Sequence, residues 1–253
     1  MIAELTEREK VILDRLSADG SVSVTVLARE LGLSDVTIRG DFKVLEEKGW
    51  INRTRGGAAP ALHRDILERQ RVYPERKNAI ARAAAELVRD GDVIMIEAGT
   101  TTALIARCLA GKRDIHIVTN STLVFSYARM YPNLQITMTG GEFRRATESL
   151  VGPIALETIG RLNVRLAFVG TDGFTLERGM TTHLMEGAEI VKAMKANAQI
   201  TVLTADSSKY GRVGFSNVLP LSAMDLILTD EDLDDHAETE LQEAGISVTK
   251  VNY

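Results

Sequence analysis

The sequence predicts an α/β protein in two parts: a small, mainly helical N-terminal domain and a larger domain built on a mainly parallel sheet. Residues 1–57 contain three helix-forming segments followed by a short basic hairpin. Residues 77–253 alternate short apolar runs with helical segments, the pattern of a parallel sheet covered by helices on both faces. Residues 58–76 between them are rich in charge, and we expect a linker there.

The composition is that of an ordinary globular protein, with 45% hydrophobic and 26% charged residues in a chain of 253. No run of about eighteen apolar residues occurs, and the N-terminus lacks the basic and apolar regions of a signal peptide. A single cysteine, Cys108, excludes an internal disulfide. We therefore expect a cytoplasmic protein without a membrane partner. The four histidines are scattered without metal-ligand spacing, so neither a metal nor a cofactor is expected.

Three helices are predicted in the N-terminal domain. The first begins at the capping box Thr6–Glu9, in which the Thr hydroxyl and the Glu carboxylate each bond a free backbone amide, and it ends before Gly20. The second runs from Val26 to Leu31. Ser34 caps the third helix, which extends to about residue 48.

The third helix has one apolar face and one polar face. Ile38, Phe42 and Leu45 recur at helical spacing and predict a buried stripe. The opposite face carries short, polar or basic side chains, as a helix needs if it enters the major groove of DNA. Residues 50–57 are predicted to form a hairpin wing with two arginines. The candidate DNA-contacting residues are Ser34, Val36, Thr37, Arg39, Lys43, Arg53 and Arg55.

The net charge of −5 argues at first against nucleic acid, but the charge is unevenly distributed. Residues 1–77 carry 14 basic and 13 acidic residues, whereas residues 78–253 carry 16 and 22. Residues 48–55 contain three basic residues and no acidic one. A reading face can be basic on an acidic protein because phosphates respond to charge within about 8–10 Å. A three-helix module that binds another protein remains the alternative for this domain.

The larger domain is predicted to alternate strands and helices along its whole length. The expected elements are a helix at 78–89, a strand at 93–97, a helix through 104–109, a strand at 115–119, a helix at 121–130, a strand at 135–139, a helix at 153–162, a strand at 165–170, a helix at 186–196, strands at 200–205 and 226–229, a helix at 235–244 and a strand at 246–251.

Small and polar residues follow five of these strands. Ligands of parallel sheets bind at the carboxyl ends of the strands. Residues 97–102 suit an anion such as phosphate, because glycine admits close approach and Thr hydroxyls and helix amides donate. Lys209 is expected to pair with phosphate. One such loop is usually only a turn or a cap, but five together predict a polar-ligand pocket. The candidates are Glu97, Gly99, Thr100, Thr101, Thr102, Asn120, Gly141, Gly170, Asp172 and Lys209.

Both domains resemble the DeoR family of bacterial transcriptional regulators. The first carries Leu31-Gly32-Leu33-Ser34-x-x-Thr37-Ile38-Arg39-x-Asp41-Phe42 and Gly56-Gly57-Ala58. The second carries Glu97-Ala98-Gly99-Thr100-Thr101, Gly170-Thr171-Asp172-Gly173 and Asp206-Ser207-Ser208-Lys209. The resemblance implies a winged helix-turn-helix joined to an α/β sugar-phosphate-binding domain similar to ribose-5-phosphate isomerase and the CoA transferases.

Three positions depart from the family's pattern. Gly40 stands where the family usually has Arg or another polar residue, and Arg55 where it often has His. Glu97 stands where the family often has Asp. The operator sequence and the effector are therefore expected to differ from those of other members.

Together these features predict a repressor of a carbohydrate-catabolic operon, not an enzyme, that a phosphorylated sugar or sugar alcohol releases from double-stranded operator DNA. One reading helix covers only a few base pairs, so a homodimer or homotetramer is expected. The alternative is an isomerase-like enzyme with an N-terminal interaction module, in which Glu97 or Asp172 would be the general base. A sensor that binds another protein instead of DNA is a third possibility.

Overall fold

Residues 5–253 are described by a computed structural model, in which the chain divides between Glu68 and Arg69 into two units. The first unit holds three helices and a three-stranded antiparallel sheet, and a fourth helix contains the division. Its elements are α1 (Glu7–Asp19), β1 (Val22–Ser23), α2 (Val24–Leu31), α3 (Asp35–Glu47), β2 (Ile51–Thr54), β3 (Gly57–Pro60) and α4 (Arg64–Arg71).

The helix ends follow the predicted capping chemistry. Thr6 and Glu9 form the complete capping box of α1, with the Glu9 carboxylate accepting from the Thr6 N–H at 2.7 Å. Ser34 caps α3, and its hydroxyl accepts from the backbone N–H of Thr37. The predicted apolar stripe of α3 is confirmed, since Ile38, Phe42 and Leu45 are fully buried in the core of this unit.

The wing is longer than predicted. Its strands pair in the order β1-β3-β2, and β3 extends to Pro60 with Ala58 fully buried. A side chain at Gly57 would collide with the carbonyl oxygen of Val22, so the close pairing of β1 and β3 requires glycine there. The first residues of the expected linker, 58–60, are therefore part of the wing, and α4 and the helix that starts at Pro74 occupy most of the rest.

The second unit contains the predicted parallel sheet, with seven strands in the order β15-β14-β12-β9-β4-β5-β6. Its elements are α5 (Pro74–Glu86), β4 (Val93–Ile96), α6 (Thr100–Cys108), β5 (Ile115–Thr119), α7 (Thr122–Ala128), β6 (Leu134–Met138), β7 (Glu142–Arg144), β8 (Ser149–Val151), α8 (Pro153–Gly160), β9 (Val164–Val169), β10 (Gly173–Thr175), β11 (Gly179–Thr182), α9 (Met185–Ala196), β12 (Ala198–Thr204), β13 (Ser216–Asn217), β14 (Leu226–Asp230), α10 (Asp235–Glu243) and β15 (Val248–Val251).

The strand order has a reversal at its centre. The chain starts the sheet at β4, adds β5 and β6 on one side, and then crosses back to place β9 on the other side of β4. The crossing helices leave in opposite directions at such a point and open a crevice at the carboxyl ends of the two strands. The β9 residues 166–169 are almost completely buried, as expected of a central strand covered on both faces. The crevice between β4 and β9 is thus the natural place for a ligand.

Two small antiparallel sheets were not predicted from the sequence. One is the hairpin β7–β8, and the other joins β10, β11 and β13. Each strand has at most four residues, too few to show an alternating apolar pattern. No helix in the described part of the chain, residues 5–253, is long and apolar enough to cross a membrane.

Candidate functional sites

The outward face of α3 lies opposite its buried stripe. At about 100° per residue, residues 36, 40 and 43 fall within roughly 50° of the direction opposite to the core. Val36 is 78% exposed, and Gly40 and Lys43 are exposed as well. Arg39 is exposed at the edge of this ridge. The ridge therefore offers one apolar side chain, one bare backbone position and two cations.

Ser34 and Thr37 are both engaged at the start of α3. The Ser34 hydroxyl accepts from the Thr37 N–H at 3.1 Å, and the two hydroxyl oxygens lie 2.9 Å apart. Their hydrogen-bonding capacity is thus partly used within the helix cap. A contact of either hydroxyl with a base would compete with this pair.

The two predicted wing arginines have different surroundings. The Arg53 guanidinium lies 5.4 Å from the centre of the Phe42 ring, a cation–π contact that orients the side chain beside α3. Arg55 is exposed at the turn between β2 and β3. Arg53 is therefore positioned by the fold, whereas Arg55 is free to adapt to a partner.

Two ion pairs that sequence reasoning missed hold α3 against α1. Arg8 donates to the buried Asp41 at 2.7 Å, and Lys48 donates to the buried Glu9 at 2.8 Å. Burial raises the pKa of Glu9, but the bonds from Lys48 and Thr6 outweigh it and hold that pKa below its usual range. These pairs fix the orientation of the outward ridge relative to the rest of its unit.

Glu97 lies at the switch point of the parallel sheet. It follows β4, is almost completely buried, and accepts from the Gly170 N–H at 3.1 Å. Burial raises the pKa of Glu97 to about 8; the Gly170 bond opposes the shift and the negative charge of Asp172 adds to it. Glu97 is therefore mainly protonated at neutral pH.

Asp172, two residues beyond Gly170, is held in the opposite state. Its Oδ2 accepts from the Thr182 hydroxyl at 3.0 Å and from the His183 N–H at 2.9 Å, while Oδ1 lies 3.4 Å from the guanidinium of Arg69. Burial raises the pKa of Asp172, but Arg69 and these two donors outweigh it and lower that pKa below its usual range. The crevice thus places a neutral carboxyl and an ionised carboxylate near each other.

The first turn of α6 leaves its amides without a side-chain cap. Gly99 is the N-cap residue and has no side chain that could bond the first amides of this helix. The Thr102 hydroxyl is fully buried and donates to the Gly99 carbonyl at 3.1 Å. Thr100 and Thr101 are partly exposed. Thr102 thus shapes the turn, whereas Thr100, Thr101 and the free amides remain able to bind an anion.

Asn120 and Gly141 support the loops in the structure. The Asn120 side chain accepts from the Ala98 N–H at 3.0 Å and donates to the Leu150 carbonyl at 3.2 Å, so both ends of its amide are in use. A side chain at Gly141 would approach the Val151 carbonyl oxygen to 2.5 Å. Their predicted role at a ligand therefore competes with a structural one.

Three cations, Lys209, Lys77 and Arg69, lie near one another in this unit. Lys77 and Arg69 were not predicted from the sequence. Lys209 is partly buried in a short 3₁₀ turn and has no side-chain hydrogen bond or ion pair with any residue in the range 5–253. Lys77 is buried and donates to the Arg69 carbonyl. Burial lowers the pKa of Lys77 to about 8; Asp206 opposes this shift, and the charges of Lys209 and Arg69 add to it.

Arg76 contacts the turn that carries Lys209. Its guanidinium donates to the Ser207 hydroxyl at 3.0 Å and lies 3.6 Å from the buried Asp230. Asp230 accepts from the Ser207 N–H at 2.7 Å.

Within residues 5–253, no three His, Cys, Asp or Glu side chains are arranged to hold a metal ion.

Comparison with known proteins gives matches over both units. Residues 8–61 match the family model of the DeoR-like helix-turn-helix domain, and residues 73–231 match that of the DeoR C terminal sensor domain. The chain is 36% identical over 249 residues to the HTH-type transcriptional regulator GlpR of Haloferax volcanii, covering 96% of each protein. It is 31% identical to the putative aga operon transcriptional repressor of Escherichia coli O157:H7, covering 97% of this chain and 94% of that protein.

The solved structures that it resembles are more distant. A D-ribose-5-phosphate isomerase in complex with phospho-erythronic acid gives a TM-score of 0.41 at 18% identity, over 54% of each chain. Ribose 5-phosphate isomerase A of Methanocaldococcus jannaschii gives 0.40 at 20% identity, over 55% of each chain.

Proposed function

The chain belongs to the DeoR family of DNA-binding transcriptional regulators, and we propose that it represses a carbohydrate-catabolic operon until a phosphorylated sugar or sugar alcohol releases it from operator DNA. The observation that supports this effector is the crevice between β4 and β9, where the buried Glu97 accepts from the Gly170 N–H at 3.1 Å and Asp172 accepts from Thr182 and His183. Repression is supported by the Escherichia coli relative, which is described as a putative repressor.

DNA binding uses the outward face of α3 and the wing. The cations Arg39, Lys43, Arg53 and Arg55 hold phosphates, which position the helix but carry no sequence information directly. Ser34, Val36 and Thr37 face base edges at the start of α3. One such face covers only a few base pairs, so the proposal includes a homodimer or homotetramer that reads two half-sites.

The anionic end of the effector is held by cations and by the first turn of α6. Lys209 lacks a partner among the described residues, and Lys77 has only a backbone carbonyl. The positive charges of Lys209 and Arg69 act on the pKa of Lys77, and Asp206 supplies the negative charge that opposes them. A phosphate would satisfy this surplus of positive charge. Gly99, Thr100, Thr101 and Thr102 place the helix amides toward it.

The hydroxylated end of the effector meets the two carboxyl groups. Protonated Glu97 donates a hydrogen bond, and ionised Asp172 accepts from hydroxyl groups. The 3.4 Å separation of Arg69 and Asp172 is long for a charge-assisted bond, so an effector can replace either partner. Asn120, Gly141 and Gly170 complete the loops around this end.

The test is a thermal-shift screen of the full-length protein with phosphorylated pentoses, hexoses and hexitols. A ligand at 100 times its Kd stabilises the folded state by about 2.7 kcal/mol. The same ligand should weaken binding of a footprinted operator fragment, and Lys209→Ala should lose the shift. Lys192→Ala, which changes a partly exposed lysine on α9, is the matched control.

Three results would each refute a part of the proposal. Absence of a shift with every phosphorylated sugar would exclude the effector class. Turnover of a pentose phosphate, which Glu97→Gln abolishes, would instead support the isomerase-like enzyme. Retention of specific DNA binding by the double variant Arg39→Ala, Arg53→Ala would exclude the assigned DNA face.

A further inference from the structure

The first turn of α3, the helix proposed to enter the major groove, exposes an apolar side chain. Val36 is 78% exposed, more than any other large apolar side chain of the N-terminal unit in residues 5–68. It lies in the first turn of α3, directly opposite the buried stripe. Single exposed apolar residues are common on proteins, so exposure alone does not define a role for Val36.

The neighbouring hydroxyls reinforce the apolar character of this turn. The Ser34 and Thr37 oxygens lie 2.9 Å apart, and the Ser34 oxygen also accepts the Thr37 N–H. Both hydroxyls are thus turned toward the helix cap. On the side of this turn opposite the buried stripe, the exposed Val36 side chain offers only carbon atoms.

Gly40 then leaves the next turn of the ridge bare. Residues 36 and 40 stand one above the other on the same helix face. A side chain built at Gly40 would have no atom within 4 Å, so packing inside the protein does not demand glycine there. Its φ lies outside the left-handed region, so backbone conformation does not demand glycine either. The missing side chain instead allows the helix backbone to approach another surface closely.

We propose that Val36 is a specificity-determining residue that packs against the 5-methyl group of one thymine in each operator half-site, with Gly40 allowing the close approach. Thymine is the base that presents a methyl group in the major groove of unmodified DNA, and an apolar side chain is its usual partner. Arg39 and Lys43, on the same side of α3, hold the flanking phosphates. This inference rests on the proposed placement of α3 in the major groove.

The experiment starts from a binding site selected by the full-length protein from random duplexes. Each thymine of that site is then replaced singly by deoxyuridine, which removes only the methyl group, and affinity is measured by fluorescence anisotropy at fixed salt. One thymine in each half-site should lose about fourfold in affinity, the value expected for one buried methyl-sized group.

The variant Val36→Ala tests which side chain reads that methyl group. In this variant the sensitive position should no longer distinguish thymine from deoxyuridine. Val11→Ala removes the same atoms from a half-exposed residue of α1 and should leave the deoxyuridine profile unchanged. Circular dichroism checks that α3 remains folded, which we expect because Val36 contributes nothing to the core.

The inference is overturned if every deoxyuridine duplex binds as tightly as its thymine parent, or if the fourfold loss persists in Val36→Ala. In both cases specific DNA binding survives, so the proposed function stands without this contact. If selection enriches no sequence at all, the proposed function and this inference fail together.

Discussion

Replacing Glu97 by glutamine should remove a pH dependence from the stability of the protein. The carboxyl group is almost completely buried, accepts one backbone N–H, and has a pKa of about 8. Glutamine has nearly the same shape and keeps an oxygen that can accept the Gly170 N–H. The substitution therefore removes the titration while keeping the hydrogen bond.

The sign and size of the expected change in the free energy of unfolding follow from the pKa of Glu97 in the unfolded chain and in the folded chain. The unfolded chain releases the Glu97 proton near its ordinary pKa of 4.5, whereas the folded chain keeps it until about pH 8. The contribution of Glu97 to stability is thus fully present below pH 4.5 and is lost as the pH rises through 8. The difference between the two values corresponds to roughly 5 kcal/mol at about 1.4 kcal/mol per pKa unit.

The measurement is urea unfolding of the full-length wild type and Glu97→Gln at several values between pH 5 and pH 8. Far-ultraviolet circular dichroism follows both units, and fluorescence of Trp50, the single tryptophan, follows the N-terminal unit. The free energy of unfolding of the wild type should fall relative to Glu97→Gln by about 3.5 kcal/mol across this range, which is most of the full linkage term. Glu157→Gln, an exposed control on α8, should follow the wild type. Parallel curves for the wild type and Glu97→Gln would show that Glu97 is ionised in the folded protein and would refute the reasoning.

Three further changes have defined outcomes. Gly40→Arg should bind random duplex DNA more tightly and with a steeper salt dependence, because the new side chain adds a phosphate contact. The variant should also discriminate thymine from deoxyuridine less. Unchanged or weaker binding in a salt-titrated gel shift would contradict this prediction. Lys77→Met should flatten the rise in the free energy of unfolding above pH 8, because the folded state loses the Lys77 proton near pH 8 while the unfolded state keeps it to about pH 10.5. Urea unfolding at pH 8–10 measures this change. An unaltered slope of the free energy of unfolding against pH would count against it. Gly173→Ala should destabilise the protein by several kcal/mol, because the new side chain collides with the Arg212 carbonyl. Gly40→Ala, in contrast, should stabilise α3 by about 1 kcal/mol. Thermal unfolding compares the two variants, and equal effects on stability would be inconsistent with the packing.

The large elements were predictable because each carries its own local signal. The buried stripe of α3 follows from helical spacing, and the run Ile115–Thr119 has the observed bounds of β5. Other ends moved by a few residues where a local rule was misread. Residues 58–76 were predicted to form a linker, but proline is favoured in the first turn of a helix, and α5 starts at Pro74.

The missed features depend on contacts between distant parts of the chain. The pairing of β11 with β13 joins residues 181–182 to 216–217, and nothing in either short segment signals the other. Lys77 and Arg69 precede the first strand of the sheet, so a search of strand ends alone could not find them. Their charges become relevant only because the fold brings them near Asp206 and Asp172.

The strand-end candidates divide into two groups by whether their polar atoms are already satisfied. The polar groups of Asn120 and Thr102 already form hydrogen bonds with the backbone. Their replacement should therefore reduce stability rather than change ligand preference. Lys209 has no side-chain partner in the described chain, and Glu97 holds a proton that it can still donate. A binding residue must keep such a capacity unused until the ligand arrives. Effector selectivity should therefore follow substitutions at Glu97 and Lys209, even though the sequence pattern alone placed all four residues in the same class.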